Sequence, residues 1–119
     1  MADERRRSRV EEQMHRDIST LVAQELAEHV PGLVTFTQVR LTKDLKYATI
    51  YYSVLGKEGV RELAAAYLER EKRRIRQMVG AGLRMRFIPE FTFKFDPSIE
   101  ESIRIQQLLD GIKNDTKND

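Results

Sequence analysis

The sequence predicts an α+β fold in which helices pack on one face of a three-stranded sheet. Apolar residues recur every three or four positions in residues 4–28 and 60–79, which is the period of an amphipathic helix. Three other segments alternate apolar and polar residues, which is the period of a strand with one buried face. The resulting order is helix, strand, strand, long helix, strand. The last strand must therefore return to the sheet across the long helix.

The composition limits the class of protein. A chain of 119 residues is expected to form one domain with a modest core. It contains no cysteine, which fits a reducing compartment and excludes thiol catalysis. No apolar run approaches the ~18 residues of a membrane span, and the polar N-terminus lacks the apolar segment of a secretion signal. We therefore expect a cytoplasmic protein.

Two strands after the first helix are expected to form an antiparallel hairpin. Pro31-Gly32 ends the helix, since neither residue continues a helix well. The strands are predicted over residues 34–42 and 46–54, and the connection between them is short and polar. Along the first strand the apolar positions change parity, which predicts a bulge near Gln38.

The long helix, predicted over residues 60–79, has an acidic residue in its apolar stripe. Glu71 projects near the centre of that stripe. Either the helix bends there, or the core ends there, or the glutamate is buried and paired with an arginine. Because an unpaired buried carboxylate is strongly unfavourable, we favour a bend or a local opening. Gly80 or Gly82 is expected to cap the helix in the left-handed conformation.

The third strand is predicted to begin at Leu83. From Leu83 to Phe95 the odd-numbered positions are apolar, and the charged residues share the other face. After Asp96, Pro97-Ser98 is expected to begin a short helix, and the polar residues from Lys113 onwards are expected to fray.

Charge is distributed unevenly along the chain. Residues 40–94 carry thirteen basic and six acidic groups, whereas residues 1–30 and 96–119 have net charges of −2 and −3. A cationic middle of this kind attracts phosphate. An ordinary solvated surface is the alternative, because basic patches are common.

The sequence contains no recognisable catalytic constellation. His15 and His29 are isolated, and no residue near them has the spacing of a metal ligand or a triad. Gly80 and Gly82 lack both the lysine of a P-loop and the remaining glycine of a Rossmann motif. We therefore expect no enzymatic activity, no metal and no cofactor.

The basic segments supply candidates for phosphate binding. An arginine suits this role because its planar guanidinium can bind two oxygens at once. The main candidates are Arg73, Arg76, Arg84 and Arg86, and a second rank in the hairpin is Arg40, Lys43 and Lys46. Tyr47 and Tyr51 either stack on unpaired bases or pack on a partly covered sheet.

The third strand also carries a family resemblance. The pattern Arg-x-Arg-x-x-Pro-Glu-Phe at residues 84–91 follows Ile75-Arg76 and Gly80, and together with the hairpin segment 39–48 it resembles the ribosome-binding factor A family. The resemblance implies a type II KH-like fold of order α-β-β-α-kink-α-β. The family's Ala-x-Gly kink would fall at Glu71-Lys72-Arg73, which has neither residue. We expect a KH-like RNA-binding domain over residues 1–96, then a short helix and polar tail over residues 97–119.

The same resemblance implies a ribosome assembly factor and not an enzyme. Such a factor binds the precursor 30S subunit and assists late 16S rRNA folding and 5′-end processing, often in cold adaptation. Its partners would be 16S rRNA, free small subunits and, in some bacteria, an assembly GTPase, with the factor itself a monomer. Two alternatives stay open: a general single-stranded nucleic-acid-binding protein, and a protein-interaction module with a basic face.

Overall fold

Residues 2–117 are described in a computed structural model of the protein, and they confirm the predicted α+β class and element order. The elements are α1 (Ala2–His29), β1 (Leu33–Leu41), β2 (Tyr47–Leu55), α2 (Val60–Ala81), β3 (Glu90–Phe95) and α3 (Ser98–Lys117). None of the helices in this part of the chain combines the length and apolar character that crossing a membrane requires.

The three strands lie in the order β1-β2-β3. β1 and β2 form the antiparallel hairpin that the sequence predicts, and their register shifts between Phe36 and Gln38, so the predicted bulge is confirmed. β3 pairs parallel to β2. Strands β2 and β3 can be parallel because α2 carries the chain back along the sheet between them.

The core lies between one face of the sheet and the helices α1 and α2. Its largest fully buried side chains include Met14, Ile18 and Leu26 from α1, Ile50 from β2, and Leu68 and Ile75 from α2. Apolar residues at helical spacing therefore meet the alternate residues of the strands, as the two periodicities predict.

Helix α1 also covers the free edge of β1. His15 donates a hydrogen bond from Nε2 to the carbonyl oxygen of Phe36 at 2.6 Å, and the backbone N–H of Leu41 donates to Glu11 Oε2 at 2.7 Å. Edge strands expose unpaired backbone groups that invite pairing with other chains. His15 and Glu11 satisfy two such groups, so the position of His15 has a structural explanation.

Helix α2 is not divided by the expected kink. It is helical throughout Val60–Ala81, so the residues Glu71-Lys72-Arg73 do not separate two helices. The side chain of Glu71 is 30% exposed and its carboxylate lies 3.1 Å from Nε of Arg74. Pairing with an arginine, the alternative that the sequence did not favour, therefore explains the polar interruption of the stripe.

The end of α2 and the start of β3 also differ from prediction. The helix is capped by Gly82 with φ −87°, a right-handed conformation, so the expected left-handed cap is wrong. Residues 83–89 form a loop, and the strand begins only at Glu90. Arg76 holds this loop against α2 by donating to the carbonyl oxygens of Ile88 at 2.6 Å and Pro89 at 2.7 Å. These two carbonyls accept hydrogen bonds from Arg76 within the loop, although the alternation of apolar and polar residues continues through it.

Helix α3 is longer than the short helix expected after Pro97. It extends to Lys117, past the point where fraying was predicted, and Asn118 and Asp119 lie outside the described residues. Its start is fixed by Asp96, which accepts hydrogen bonds from Thr37 Oγ1 at 2.7 Å and from the backbone N–H of Ser98 at 2.9 Å. The hydrogen bond from Thr37 is the main reason that the pKa of Asp96 is lowered.

Candidate nucleic-acid interface

Three segments that are distant in sequence meet around one groove. They are the first turns of α1, the turn between β1 and β2, and the loop after α2. The groove consists of two adjoining depressions of about 490 and 480 Å³ that share Arg6 and Met85. We call it the basic groove, because its charged side chains are Arg6, Arg9, Lys46, Arg76, Arg84 and Arg86 against only Asp44 and Glu90.

The loop at residues 83–89 reaches the groove because Gly80 lets it approach α2. Gly80 is buried, and a Cβ placed there would collide with the side chain of Ile88. The missing side chain therefore makes room for Ile88, while Pro89 is fully buried beside it. Arg76 adds its two hydrogen bonds to the loop and an ion pair with Glu90 at 3.5 Å. These contacts hold Arg84 and Arg86 at the groove.

The hairpin turn forms another wall of the groove and is tightly hydrogen-bonded. Asp44 accepts from Thr42 Oγ1 at 2.6 Å and from the backbone N–H of Lys46 at 3.0 Å. The hydrogen bond from Thr42 is the main cause of the lowered pKa of Asp44, so this carboxylate remains anionic but bonded within its own turn. Leu45 has φ 61°, a conformation that L residues rarely adopt. Its half-buried side chain packs against the core and also lines the groove.

Two groove residues, Arg6 and Arg9, were missed at the level of sequence. Four of the five basic residues in residues 1–30 fall within residues 5–9, but the net charge of −2 over the whole segment hid them. A local signal was present, since positive charges in the first turns of a helix oppose the helix dipole. Their clustering there is therefore not explained by helix stability.

The structure brings together only some of the predicted phosphate contacts. Lys46, Arg76, Arg84 and Arg86 line the groove, whereas Arg40, Lys43 and Arg73 do not. Arg40 donates instead to Gln38 on its own strand, at 3.2 Å. Of the two candidate stacking tyrosines, Tyr47 lines the groove with 58% of its surface exposed, and Tyr51 does not line it.

Two basic side chains of α2 that lie outside the groove, Lys72 and Arg74, are paired with carboxylates. Arg74 binds Glu25 through two nitrogens at 2.7 and 3.1 Å, and Lys72 lies 3.0 Å from Glu69. Hydrogen bonds and charge from Glu25 and Glu71 raise the pKa of Arg74, and Arg74 lowers that of Glu25. We call Glu25, Glu71 and Arg74 the arginine bridge, since they join α1 to α2.

Most cations of the groove have no anionic partner. Of the six groove cations, Arg6, Arg9, Lys46, Arg84 and Arg86 make no salt bridge to any side chain that the structure describes, and Arg76 pairs with Glu90. Within the described residues no cluster of histidine and carboxylate side chains could hold a metal ion. The arrangement is suited to binding an extended anion, because unpaired guanidinium groups surround a cleft that is itself partly apolar.

Comparison with known proteins identifies the family. Residues 6–109 match the family described as Ribosome-binding factor A. The chain belongs to the ribosome-binding factor A family. Two members are 37% identical to it: the ribosome-binding factor A of Geobacter sulfurreducens over 96% of this chain and 97% of its own length, and that of Citrifermentans bemidjiense over 91% of each chain.

Solved structures of ribosome-binding factor A share the fold. The crystal structure from Thermus thermophilus has a TM-score of 0.63 and 26% identity, and covers 74% of this chain and 93% of its own. A solution structure of a putative ribosome-binding factor A from Thermotoga maritima has a TM-score of 0.53 and 30% identity, covering 74% and 80%. In this chain the Arg-x-Arg-x-x-Pro-Glu-Phe pattern at residues 84–91 spans the groove loop and the start of β3. Both of its arginines line the groove.

Proposed function

We propose that this protein binds the small ribosomal subunit by placing its basic groove against rRNA phosphates. The observation that carries the proposal is the set of unpaired cations around one cleft: Arg6, Arg9, Lys46, Arg84 and Arg86. Phosphate contacts of this kind release counterions and supply much of the affinity of nucleic-acid binding. Membership of a family named for ribosome binding supports the ribosome as the source of that RNA.

The finer features of the proposed function are those that the family resemblance implies. We propose a non-catalytic cytoplasmic factor that binds precursor 30S subunits and assists late 16S rRNA folding and 5′-end processing, with a role in growth in the cold. It acts as a monomer and leaves the subunit with the help of an assembly GTPase. In this proposal residues 1–96 form the RNA-binding domain, and residues 97–119 form the C-terminal helix and tail.

Co-sedimentation tests the proposal. Wild-type protein is mixed with purified precursor small subunits, mature small subunits or full ribosomes, and the bound fraction is measured in each. We expect binding to small subunits, strongest for the precursors, and little binding to full ribosomes.

Two results would contradict the proposal. Equal binding to unrelated RNA competitors would indicate a general nucleic-acid-binding protein. Persistence of the complex after nuclease digestion of the rRNA would indicate a protein-interaction module.

A further inference from the structure

The basic groove contains an aromatic ring that neither the fold nor charge explains. Phe87 is 75% exposed, the highest value among the large apolar side chains that the structure describes. It lies in a loop that is fixed on its C-terminal side, because Pro89 is fully buried and Ile88 packs on Gly80. Because the loop is anchored, the ring of Phe87 stays in contact with water and does not pack against the core.

A second exposed ring lies in the same depression. Tyr47 and Phe87 both line it, together with the apolar side chains of Leu45, Met85 and Ile88. The guanidinium of Arg86 is 5.5 Å from the centroid of the Phe87 ring. The depression therefore combines flat apolar surfaces with Lys46 and Arg86, two cations that make no salt bridge to a described side chain. Stacking platforms beside positive charges are how proteins bind unpaired nucleotides.

We propose that this half of the groove binds an unpaired nucleotide of single-stranded RNA whose base stacks on Phe87. Tyr47 contacts the same base or its neighbour, and Arg86 and Lys46 bind the adjoining phosphates. The bases of a duplex cannot occupy the site, because they are already stacked and paired. The inference rests on the proposed function, which requires RNA but does not require it to be unpaired.

Two substitutions at Phe87 separate stacking from simple apolar contact. Phe87→Leu keeps an apolar side chain but removes the ring, and Phe87→Trp keeps a ring. The chain contains no tryptophan, so F87W also introduces a unique fluorophore. Leu63→Trp provides the matched control, since Leu63 is 54% exposed on α2 and does not line the groove. Thermal unfolding of each variant checks that the fold is unchanged.

The probes are a short single-stranded RNA, the same strand annealed to its complement, and purified small subunits. We expect F87L to bind the single strand and the small subunits about tenfold more weakly than wild type, a typical loss for one stacked base. F87W should bind as wild type, and the single strand should quench its fluorescence far more than the duplex does. The fluorescence of L63W should not respond to either RNA.

Three outcomes would overturn this inference alone, and a fourth would overturn it together with the proposed function. If F87L bound the single strand with wild-type affinity, stacking on Phe87 would be ruled out, and the proposed function would be unaffected. Unquenched F87W in the RNA-bound state would do the same. If F87L bound RNA normally but no longer bound small subunits, Phe87 would contact a ribosomal protein and not a base. If wild-type protein bound neither RNA nor small subunits, the proposed function and this inference would fail together.

Discussion

The arginine bridge and the basic groove use the same kind of residue for different purposes. In the bridge, Arg74 is bound by Glu25 and Glu71, so its charge is neutralised where α1 meets α2. In the groove, Arg84 and Arg86 have no carboxylate partner among the described side chains. A guanidinium that is already paired must give up its partner before it binds phosphate, whereas an unpaired one gives up only water.

This difference means that the number of basic residues in a segment does not predict its affinity for RNA. The run from Arg70 to Arg76 contains five basic residues, yet most of them are already paired or hydrogen-bonded. Arg76 donates its hydrogen bonds to backbone carbonyls, so we expect it to contribute to RNA binding only through its charge. The following predictions test whether partner and position, and not charge alone, determine binding.

The largest effect is expected from removing four groove cations together. The variant Arg6→Ala/Arg9→Ala/Arg84→Ala/Arg86→Ala should bind single-stranded RNA about a hundredfold more weakly. The slope of log affinity against log salt should also become shallower by about 0.7 for each phosphate that the variant no longer neutralises. Filter binding over a salt series measures both quantities. An unchanged slope would place the phosphates elsewhere on the protein.

Gly80→Ala should disturb the groove without changing its charge. The new Cβ would collide with Ile88, and we expect the free energy of unfolding to fall by about 1–3 kcal/mol. Alanine favours a helix by about 1 kcal/mol over glycine, so a net destabilisation must come from this collision. Urea denaturation measures stability, and RNA affinity should fall as the loop moves.

Gly82→Ala is the matched control for this prediction. Its Cβ would meet Asp17 and Val79 at 3.6 and 3.7 Å, which are ordinary van der Waals distances. Gly82→Ala should therefore be neutral or slightly stabilising. In an Ile88→Ala background, Gly80→Ala should destabilise the protein much less, and an undiminished effect there would show that Ile88 is not the cause.

Arg74→Ala should weaken the fold and spare RNA binding. We expect the free energy of unfolding to fall by about 1 kcal/mol at neutral pH, since Glu25 is only partly buried. The pKa of Glu25 is lowered from 4.5 by Arg74, so this stabilisation is present above pH 4.5 and disappears as the pH falls through the lowered pKa. The stabilities of variant and wild type should therefore converge in acid. A constant difference from about pH 7 to about pH 3 would contradict the assignment.

The smallest effects are expected at unpaired cations outside the groove. Arg73 and Lys43 are exposed and make no salt bridge among the described residues, yet neither lines the groove. Arg73→Ala and Lys43→Ala should each change RNA affinity by less than about threefold, because isolated surface charges act only through the screened field. Titration of labelled RNA measures this. A reduction as large as that of Arg84→Ala would extend the interface beyond the groove.

The sequence predicted the layers of the fold because periodicity reports burial. The hairpin, the bulge near Gln38 and the core face of α1 follow from spacing alone. The strand predicted over residues 83–89 was wrong because alternation also occurs where a segment packs by other means. Arg76 and Gly80 capture that loop through interactions that depend on the relative position of two elements. No local pattern contains that information.

The sequence predicted the basic character of the candidate groove but not which residues form it. The arginines of the loop were identified from the basic segment that follows α2, and Lys46 from its place in the hairpin. Arg6 and Arg9 join them only because α1 places its first turns beside that loop, at a distance of about eighty residues in sequence. The pairing of Glu71 with an arginine was among the sequence alternatives, but the pairing of Arg74 with Glu25 was not predictable, since Glu25 reaches Arg74 from another helix.

The most direct test compares two variants of equal charge. Arg84→Ala/Arg86→Ala and Arg70→Ala/Lys72→Ala each remove two positive charges from a chain of net charge +2, the first pair from the groove and the second from the paired region of α2. Affinity for purified small subunits is measured for both at the same salt concentration. We predict that the groove variant binds about tenfold more weakly and that the α2 variant stays within about twofold of wild type. Equal reductions would contradict the account, because net charge and not the groove would then determine binding.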